Sequence, residues 1–354
     1  MAEPKISDVA RMAGASVSTV LNVLDGQTSR MRPEVIQRIR RAIMVLDYRA
    51  PKRASAPTAT NTSKKRAPLL GLLVPSIANP FFGVLASEIE RVAHAHGYRL
   101  LFGNTYRDPK KERELLEDFF AHGIRGVITA SSLTTQDHYA RFLQRGLTIV
   151  SFDRGAERDS SLAIDYVSVD NVHAGYAATR HLVLNGHRAI AYVTAPVCTV
   201  SRADRRAGYV AAMEEAGLGK HVAIVEAAPE SLYDDAELLD VGRRIGQGVV
   251  AKKKRPTALV AMSDIIAIGV IAGLHDGGLR VPRDISIVGI DDLYLAALIS
   301  PAITSIRQPV PEIAEAMVGR LVKRIETPTL APAEQVFRPA LVVRNSVRKI
   351  GGSP

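Results

Sequence analysis

The segment SVDNVHAGYAATRHLVLNGHRAIAYVTA (residues 168–195) contains the pattern that decides the fold of this chain. Residues 172–185 have the length and apolar spacing of an amphipathic helix. The end of the segment, AIAYVTA (189–195), is a short apolar run, which is typical of a strand buried on both faces of a parallel sheet. A helix that leads into a buried strand is part of a βαβ unit, so the segment predicts an α/β fold.

The same alternation of strand and helix extends over residues 69–347. Further buried strands are predicted at LLGLLVP (69–75), YRLLFG (98–103), GVITA (126–130), TIVSFD (148–153), HVAIVEA (221–227), ALVAM (258–262) and ISIVGI (285–290). Helices are predicted at 81–96, 110–122, 202–216, 235–250, 264–276 and 311–325. The series is duplicated, with one set over about 69–153 and a second over about 189–290. We therefore expect two similar lobes, each with a doubly wound parallel sheet, and a cleft between them.

Polar residues follow many of the predicted strands. Ligands of such sheets bind outside the carboxyl ends of the strands, so these residues are candidates for a binding site. They are Ser76, Asn79, Asn104, Asp153, Arg154, Ser263, Asp264, Asp291 and Asp292.

The composition excludes several classes of protein. A chain of 354 residues exceeds what one core usually organises, so two or more domains are expected. The net charge of +10 favours an anionic partner, with nucleic acid first and an anionic membrane surface second. The single cysteine, Cys198, excludes an intrachain disulfide and favours a reducing compartment. No uncharged apolar stretch of 18 residues and no secretory signal are found, so a cytoplasmic protein is expected.

The positive charge is concentrated at the start of the chain. Residues 1–66 hold 13 Lys and Arg against 5 Asp and Glu, a net charge of +8. Residues 49–68, RAPKRASAPTATNTSKKRAP, contain three prolines but no Leu, Ile, Val, Met or aromatic residue. Such a segment cannot bury enough apolar surface to offset its ordering entropy, so it is interpreted as a linker. The expected organisation is a head (1–48), a linker (49–68) and a body (69–347).

The head has the pattern of three short helices. ISDVARMA (6–13) predicts the first, with Ser7 as its N-cap, and VSTVLNVLD (17–25) predicts the second, capped by Ser16. PEVIQRIRRAIMVL (33–46) predicts the third, with Pro33 in its first turn. Two short helices joined by a turn with Gly14, followed by a packing helix, form a helix-turn-helix. The second helix of this motif enters the major groove of DNA, which points to Val17, Ser18 and Asn22.

Motifs of common enzymes are missing from the sequence. It has no GxGxxG after a strand, no GxxxxGK[ST], no GxSxG and no HExxH. We therefore expect neither catalysis nor a metal or other cofactor.

Both parts of the chain resemble one family. KISDVARMAGASVSTVLNVLDG resembles the head of the lactose-repressor/galactose-repressor (LacI/GalR) family, whose usual form is xTIxDVAxxAGVSxxTVSRVLNG. The body is similar at PSIANPFF (75–82), SFDR (151–154), SVDNVHAGYAATRHLVLNGHRAIAYV (168–193), RRAGY (205–209), PTALVAMSDIIAIG (256–269), VPRDISIVGIDD (281–292) and SPAITSIRQP (300–309). These motifs stand in the order and spacing of the family.

The resemblance implies a fold and a function. The fold would be a helix-turn-helix head and a two-lobed body like the periplasmic sugar-binding proteins, with three crossovers between lobes. Lobe 1 would comprise about 69–166 and 302–328, and lobe 2 about 167–301 and 329–347. The function would be that of a dimeric bacterial transcription regulator, usually a repressor. It would bind a palindromic DNA operator, associate with the nucleoid when bound, and respond to a small effector, often a sugar.

The resemblance also implies particular binding residues. Phe81 and Phe82 match aromatic positions that stack on the effector, and Asp153, Arg205, Ser263, Asp291 and Gln308 match polar positions of the cleft. Asn79, Arg154 and Asp264 are further candidates. Carboxylates that accept hydroxyl hydrogen bonds, a guanidinium group and an aromatic face together suit a polyol. The expected DNA contacts are Ser7, Ser16, Val17, Ser18, Thr19, Asn22, Arg30, Arg49, Lys52 and Arg53.

Two stretches depart from the usual pattern of the family. TVLNVLDG has Asn22 where the family usually has Arg, and Asn pairs bidentately with adenine, so an A·T pair is predicted opposite Asn22. The linker YRAPKRASAPTA lacks the leucine that the family inserts into the minor groove. We expect Arg49, Lys52 and Arg53 to contact phosphates and the linker to cause little or no kink. The last residues, VRKIGGSP, hold no leucine heptad, so no tetramerising tail is expected.

Three other classes of protein remain open at this point. One is the solute-binding protein of a transporter, which the basic head and the missing export signal disfavour. Another is a sugar-modifying α/β enzyme with a basic extension, which the missing motifs disfavour. The third is a DNA-compacting protein without an effector, which would bind random DNA as tightly as an operator.

Overall fold

The computed structural model describes residues 4–24, 31–46, 48, 67–130, 137–153, 162–196, 199–228 and 237–351. The chain divides into two compact units, Met1–Arg66 and Ala67–Pro354. Within the described ranges, no helix is both long enough and apolar enough to cross a membrane.

The first unit contains the three predicted helices, α1 (Ile6–Ala13), α2 (Val17–Leu24) and α3 (Pro33–Val45). Their core is formed by Val9, Val20 and Ile39, which are fully buried, together with smaller apolar residues around them. Gly14 ends α1 in the left-handed conformation, with φ of 58°. A residue without Cβ adopts this conformation at little cost, so the chain can turn sharply into α2.

Of the two predicted helix caps, one is confirmed and the other is wrong. Ser16 caps α2 as predicted, because its Oγ accepts a hydrogen bond of 3.2 Å from the backbone N–H of Thr19. Ser7 was predicted to cap α1, but it lies inside that helix, and Lys5 is the N-cap residue. The backbone N–H of Lys5 donates to the Asp8 carboxylate at 2.9 Å. This carboxylate lets the helix begin earlier, since it satisfies an N–H group outside the first turn.

The second unit alternates strands and helices, and all eight predicted strands are confirmed. The strands are β1 (Leu69–Val74), β2 (Arg99–Asn104), β3 (Gly126–Thr129), β4 (Thr148–Phe152), β5 (Asp165–Val169), β6 (Ile190–Thr194), β7 (Ala223–Glu226), β8 (Ala258–Ala261), β9 (Ser286–Asp291), β10 (Thr304–Arg307), β11 (Glu334–Phe337) and β12 (Ala340–Val342). The helices are α4 (Pro80–Ala95), α5 (Pro109–Ala121), α6 (Ala140–Gln144), α7 (Asn171–Leu184), α8 (Val200–Glu215), α9 (Leu238–Val250), α10 (Asp264–Asp276), α11 (Tyr294–Leu298) and α12 (Val310–Glu326). Short 3-10 turns lie at Asp137–Tyr139 and Gly219–His221.

The strands form two sheets of the same topology. The first sheet has the order β11-β5-β4-β3-β1-β2 and the second has the order β12-β10-β9-β8-β6-β7. The pairs of β1 to β11 are parallel, and the only antiparallel pair among the described strands joins β10 to β12. The predicted pair of similar lobes built on doubly wound sheets is therefore confirmed. Each lobe buries its own apolar core around its sheet.

The lobe boundaries differ from the expected ones. β5 still belongs to the first sheet, so the first crossover follows Val169 rather than residue 166. β10 pairs with β9 in the second sheet, although residues 302–328 were expected in lobe 1. β11 pairs with β5 in the first sheet, although residues 329–347 were expected in lobe 2. The crossovers thus lie after β5, between β10 and α12, and between β11 and β12, because strand pairing across the sheet decides where each segment belongs.

Lobe 2 depends on close packing between α9 and α10. Each helix presents two glycines four residues apart, Gly242 and Gly246 on α9 and Gly269 and Gly273 on α10. A Cβ atom added at any of these glycines would clash with a backbone carbonyl group of the facing helix. The two backbones therefore approach to a distance that only glycine allows.

The glycine contact leads to a stability prediction. We expect Gly269→Ala to lower the free energy of unfolding by about 1–3 kcal/mol, because the added methyl group forces the two backbones apart. Chemical denaturation of the purified protein, followed by circular dichroism, measures this change.

Gly248→Ala is the matched control on α9. A Cβ atom at Gly248 meets no atom within 4 Å, and the residue is exposed. Alanine in an exposed helix interior is favoured over glycine, so this variant should be more stable than the wild type by about 0.5–1 kcal/mol. Equal shifts in the same direction for both variants would contradict the assignment of the close helix contact.

Candidate functional site

The carboxyl ends of the parallel strands meet at a cleft between the two lobes. The space between the lobes here, open solvent included, is about 500 Å³. Lobe 1 lines it with Asn79, Phe81, Phe82, Arg107, Phe152 and Asp153, and lobe 2 with Thr199, Ser201, Arg202, Arg205, Leu238, Met262, Ser263 and Asp291. The structure therefore brings together seven of the predicted effector residues: Asn79, Phe81, Phe82, Asp153, Arg205, Ser263 and Asp291.

One wall of the cleft is aromatic. Phe81 and Phe82 meet edge to face, with ring centroids 5.3 Å apart, and the ring of Phe152 lies 6.0 Å from that of Phe81. Phe81 and Phe82 belong to the first turn of α4, whereas Phe152 ends β4. The three rings give an apolar face that can cover a planar or ring-shaped ligand.

Three helices begin at the cleft. Their N-cap residues are Asn79 for α4, Thr199 for α8 and Ser263 for α10. Each side chain accepts a hydrogen bond of 3.1–3.4 Å from a backbone N–H group of its first turn. The N-terminus of a helix carries a partial positive charge, so the cleft collects positive potential from both lobes.

Two buried carboxylates, Asp153 and Asp291, lie on opposite sides of the cleft. Both have positive φ, 61° for Asp153 and 118° for Asp291, which residues other than glycine rarely adopt. The side chain of Gln308 donates to Asp291 Oδ1 at 2.6 Å, and Asn171 Nδ2 lies 3.4 Å from Asp153 Oδ1. Backbone strain of this kind is concentrated at ligand sites, where it orients particular side chains.

Arg205 is held in a defined orientation. Its Nε donates to Asn171 Oδ1 at 2.8 Å, and one Nη atom donates to the Met262 carbonyl at 2.8 Å. The same Nη atom lies 3.4 Å from Asp291 Oδ1. A guanidinium group fixed in this way needs little reorganisation to bind a polar ligand.

Two predicted effector residues do not line the cleft. Gln308 is buried behind Asp291 and lines an adjoining cavity. Asp264 is fully buried, where it accepts hydrogen bonds from Ser305 Oγ at 2.6 Å and from the Leu293 N–H at 2.8 Å. Burial, and next the nearby Asp291 charge, raise the pKa of Asp264 well above its usual value. Asp264 was predicted to face the effector, but it joins the start of α10 to the chain after β9, since its side chain points into lobe 2.

The remaining strand-end residues have other positions. Arg154 lies outside the described residues. Asn104 accepts a hydrogen bond from the Ile77 N–H at 3.1 Å, and Ser76 accepts one from the Ala78 N–H at 3.3 Å, so both hold loops in lobe 1. Among the residues with described side chains, no group of three or more His, Cys, Asp or Glu could hold a metal ion.

Sequence reasoning missed several residues of the cleft, including two arginines. Arg202 stands three residues before Arg205, and this helical spacing on one face was a usable signal. Arg107 stands three residues after β2, in a left-handed turn that contains neither glycine nor asparagine. No local pattern of the sequence predicts that turn.

The head places its candidate DNA contacts on the surface. Ser7, Ser16, Val17, Ser18 and Asn22 are exposed and Thr19 is half-buried. Ser16 is also bonded to the hydroxyl groups of Ser18 and Thr19, so it organises the start of α2. The predicted contacts Arg30, Arg49, Lys52 and Arg53 lie outside the described residues. The structure adds exposed arginines on α3, which the sequence reasoning did not select: Arg38, Arg40 and Arg41.

Comparison with known proteins finds that this chain is similar to transcription regulators over both of its units. Residues 179–347 match the model of a periplasmic binding protein-like domain. The chain is 31% identical over 349 residues to the HTH-type transcriptional repressor PurR of Mannheimia succiniciproducens, covering 98% of this chain and 99% of the relative. It is 30% identical over 343 residues to the HTH-type transcriptional regulator KdgR of Bacillus subtilis, covering 97% of each chain.

Solved structures of transcriptional regulators are similar to this chain as well. A complex of the transcriptional regulator CelR with cellobiose has a TM-score of 0.68 and 26% identity, covering 97% of this chain and 99% of that one. A LacI family transcriptional regulator from Enterococcus faecium with bound ribose has a TM-score of 0.70 and 25% identity, covering 80% of this chain and 100% of that one. The full-length matches to regulators, together with the helix-turn-helix head and the two-lobed body, show that this chain belongs to the LacI/GalR family of bacterial transcription regulators.

Proposed function

We propose that this regulator is a repressor that binds a palindromic operator as a homodimer and responds to a sugar-like effector in its cleft. The observation that carries the proposal is the composition of the cleft, where an aromatic wall faces two buried carboxylates and an oriented arginine. Aspartate oxygens accept hydrogen bonds from hydroxyl groups, and an aromatic face covers a sugar ring. The cellobiose and ribose in the related structures support the same class of ligand.

The contacts of Asp291 suggest how an effector would act. Asp291 ends β9 in lobe 2, and its partner Gln308 directly follows β10, at the crossover into α12 of lobe 1. An effector hydroxyl group bound to Asp291 would change the contacts of a residue at this crossover. We expect the effector to alter the angle between the lobes through its different affinity for the two arrangements, and thereby the spacing of the two heads.

The effector proposal predicts a thermal shift. In a screen of sugars, polyols and nucleobases with the full-length protein, we expect sugars or polyols to raise the melting temperature, since a ligand that binds the folded state stabilises it. Asp291→Asn should weaken binding of the best sugar at least about tenfold, because a hydrogen bond to a charged group contributes about 1.5–3 kcal/mol.

Asp118→Asn serves as its control, because Asp118 is exposed on α5 and does not line the cleft. This variant should bind the sugar like the wild type. Stabilisation by nucleobases alone, or equal loss of binding in both variants, would contradict a sugar site at Asp291.

The proposal that the head binds an operator rests on the exposed side chains of α2. Val17, Ser18 and Asn22 project from it, and exposed arginines of α3 can contribute salt-dependent phosphate contacts. Asn22 is the residue suited to bidentate contact with adenine.

Operator selection tests the role of Asn22. Selection from a random DNA library should return A·T at one position of each half-site, and Asn22→Ala should lose about tenfold in preference for that pair. Asn22→Arg should shift the preference toward G·C, whereas Gln37→Ala, an exposed change on α3, should leave it unchanged. Selection of G·C by the wild type, unaltered in Asn22→Ala, would refute the predicted contact.

The homodimer proposal rests on an apolar surface of lobe 2. The groove beside α10 is lined largely by apolar residues, among them Ile268, Ile271, Leu279, Val281 and Ile299. The opposite side of α10 is buried in the core, and its groove side presents Ile268 and Ile271, as expected of a helix that is covered there. Leu298, which is 75% exposed, extends the apolar surface beside Ile299.

A charge in this groove should separate the subunits. We expect Ile271→Glu to be monomeric at micromolar concentration in sedimentation velocity, because a buried unpaired carboxylate is costly in an interface. Leu184→Glu is the control, since Leu184 is 64% exposed on α7 and does not line the groove. A dimer that persists in Ile271→Glu would exclude this groove as the interface. Together these proposals describe a regulator that acts on DNA in the bacterial cytoplasm.

A further inference from the structure

Positive charge is concentrated at the edge of the lobe 2 sheet where its parallel strands begin, which is the edge opposite the cleft. The net charge of +10, less the +8 of residues 1–66, leaves only +2 for residues 67–354. Yet eight exposed cations lie in four segments at this edge, 185–189, 216–222, 251–257 and 345–350, and none of these segments contains Asp or Glu. We call these cations the basic edge: Arg188, Lys220, Lys252, Lys253, Lys254, Arg255, Arg348 and Lys349.

Hydrogen bonds and strand pairing hold the four segments side by side. The segment before β8 is joined to the segment before β6, because the Thr257 N–H donates to the Ala189 carbonyl at 2.8 Å. The last segment is joined to the same one, because the Ile350 N–H donates to the Asn185 carbonyl at 2.8 Å. The segment before β7 lies on the other side, since β7 pairs with β6. Neighbouring strands lie about 4.8 Å apart, so the cations before β7, β6 and β8 spread over about 10 Å of surface.

Carboxylates of the described chain do not neutralise the basic edge. None of its eight cations forms an ion pair with a described residue. Asp284, in the loop before β9, is bound by Arg283 at 2.9 Å and interacts more distantly with the charge of Arg348. In the last turns of α8 and α10, Glu215 and Asp276 are each bound by another side chain, which leaves Glu214. Positive charge therefore prevails at this edge.

The spread of the cations fits an extended polyanion. Duplex DNA presents one negative charge per about 1.7 Å of its axis, and flexible lysine side chains can meet phosphates without a fixed geometry. A membrane surface would also bind apolar side chains, but no large one is exposed in the four segments, and Leu184 beside the first of them stands alone. Because the chain belongs to a family of DNA-binding regulators, duplex DNA is the polyanion that its head brings close.

We propose that the basic edge is a second DNA-binding surface, which contacts the phosphate backbone of duplex DNA without reading its sequence. Such contacts supply affinity and salt dependence but carry no base specificity. The cleft lies at the other ends of the same strands, so this surface is separate from the effector site. The DNA that it binds either flanks the operator or belongs to another duplex. In the second case, one regulator holds two stretches of DNA without a tetramerising tail.

Capture of additional DNA by the full-length protein tests this proposal. The protein is first saturated with its selected operator as a short unlabelled duplex, and a fluorescent duplex of random sequence is then titrated in, with anisotropy as the readout. We expect the second duplex to bind with an affinity that falls steeply as salt is raised. A second arm compares the affinity for operators with short and with long random flanks, so that flanking DNA and a separate duplex are distinguished.

A matched pair of variants assigns the binding to the basic edge. The test variant combines three substitutions there: Lys252→Gln, Lys253→Gln and Lys254→Gln. The control combines three substitutions of exposed lysines on α5 and α12 in lobe 1: Lys110→Gln, Lys111→Gln and Lys323→Gln. At low salt the test variant should bind the additional DNA at least about tenfold more weakly, and the slope of log affinity against log salt should fall by about 2–3, since each phosphate contact contributes about 0.9. The control should change neither, and both variants should bind the short operator like the wild type.

Each outcome supports or overturns the proposal. Equal binding by the wild type and the test variant in both arms, or an equal loss in the control, would overturn it. Binding to vesicles of phosphatidylserine and phosphatidylcholine that is lost in the test variant, with DNA binding unchanged, would assign the surface to a membrane instead. If no operator can be selected, the proposed operator binding fails, and the same comparison on the random duplex alone still decides the role of the basic edge: a loss confined to the test variant supports it.

Discussion

The parallel arrangement of strands is the constraint on which the rest of this structure depends. A parallel strand must return by a helix, so each carboxyl end of a strand leads into the start of a helix at the same edge of the sheet. In this chain that edge supplies the carboxylates that follow or end β4 and β9, and the N-caps of α4, α8 and α10. With two such lobes joined by crossovers, both edges line one cleft. Polar side chains from distant parts of the chain therefore meet there.

Close packing and buried hydrogen bonds hold lobe 2 together internally, whereas the cleft between the lobes is lined by polar residues from both of them. In lobe 2, glycines bring α9 and α10 into backbone contact, and the buried Asp264 ties the start of α10 to Ser305 and to the chain after β9. Such dense packing favours movement of a lobe as a unit. The polar residues of the cleft, in contrast, come from both lobes, and Asp291 is bonded to Gln308 at a crossover. A ligand that binds between them therefore acts where the lobes can change their angle.

Local patterns predicted the strands with continuous apolar runs and missed strands that mix polar with apolar residues, such as β5, DYVSV. The eight strands with continuous apolar runs and the long amphipathic helices were identified from spacing alone. β11, EQVF, is an almost fully exposed edge strand, and β10, TSIR, mixes Thr, Ser and Arg with a single Ile, so neither has the pattern of a buried strand. Both are defined by their partners, β5 and β9. The predicted boundaries between the lobes were wrong for the same reason, since the true boundaries depend on the pairing of β10 with β9 and of β11 with β5.

The sequence by itself determined the helix-turn-helix head, the duplicated α/β body and the strand-end residues Asp153 and Asp291, because repeated patterns and strand ends are local features. The resemblance of its motifs to the family added Phe81, Phe82 and Arg205, which meet these carboxylates in the cleft. Only the tertiary structure decided which neighbouring polar residue reaches the cleft. Asp264 follows Ser263 directly, yet it points into lobe 2, whereas Arg107 lies beyond the end of its strand and faces the cleft. The direction of each side chain depends on the backbone angles of one turn and on the strands packed against it, and those are set by contacts far apart in the chain.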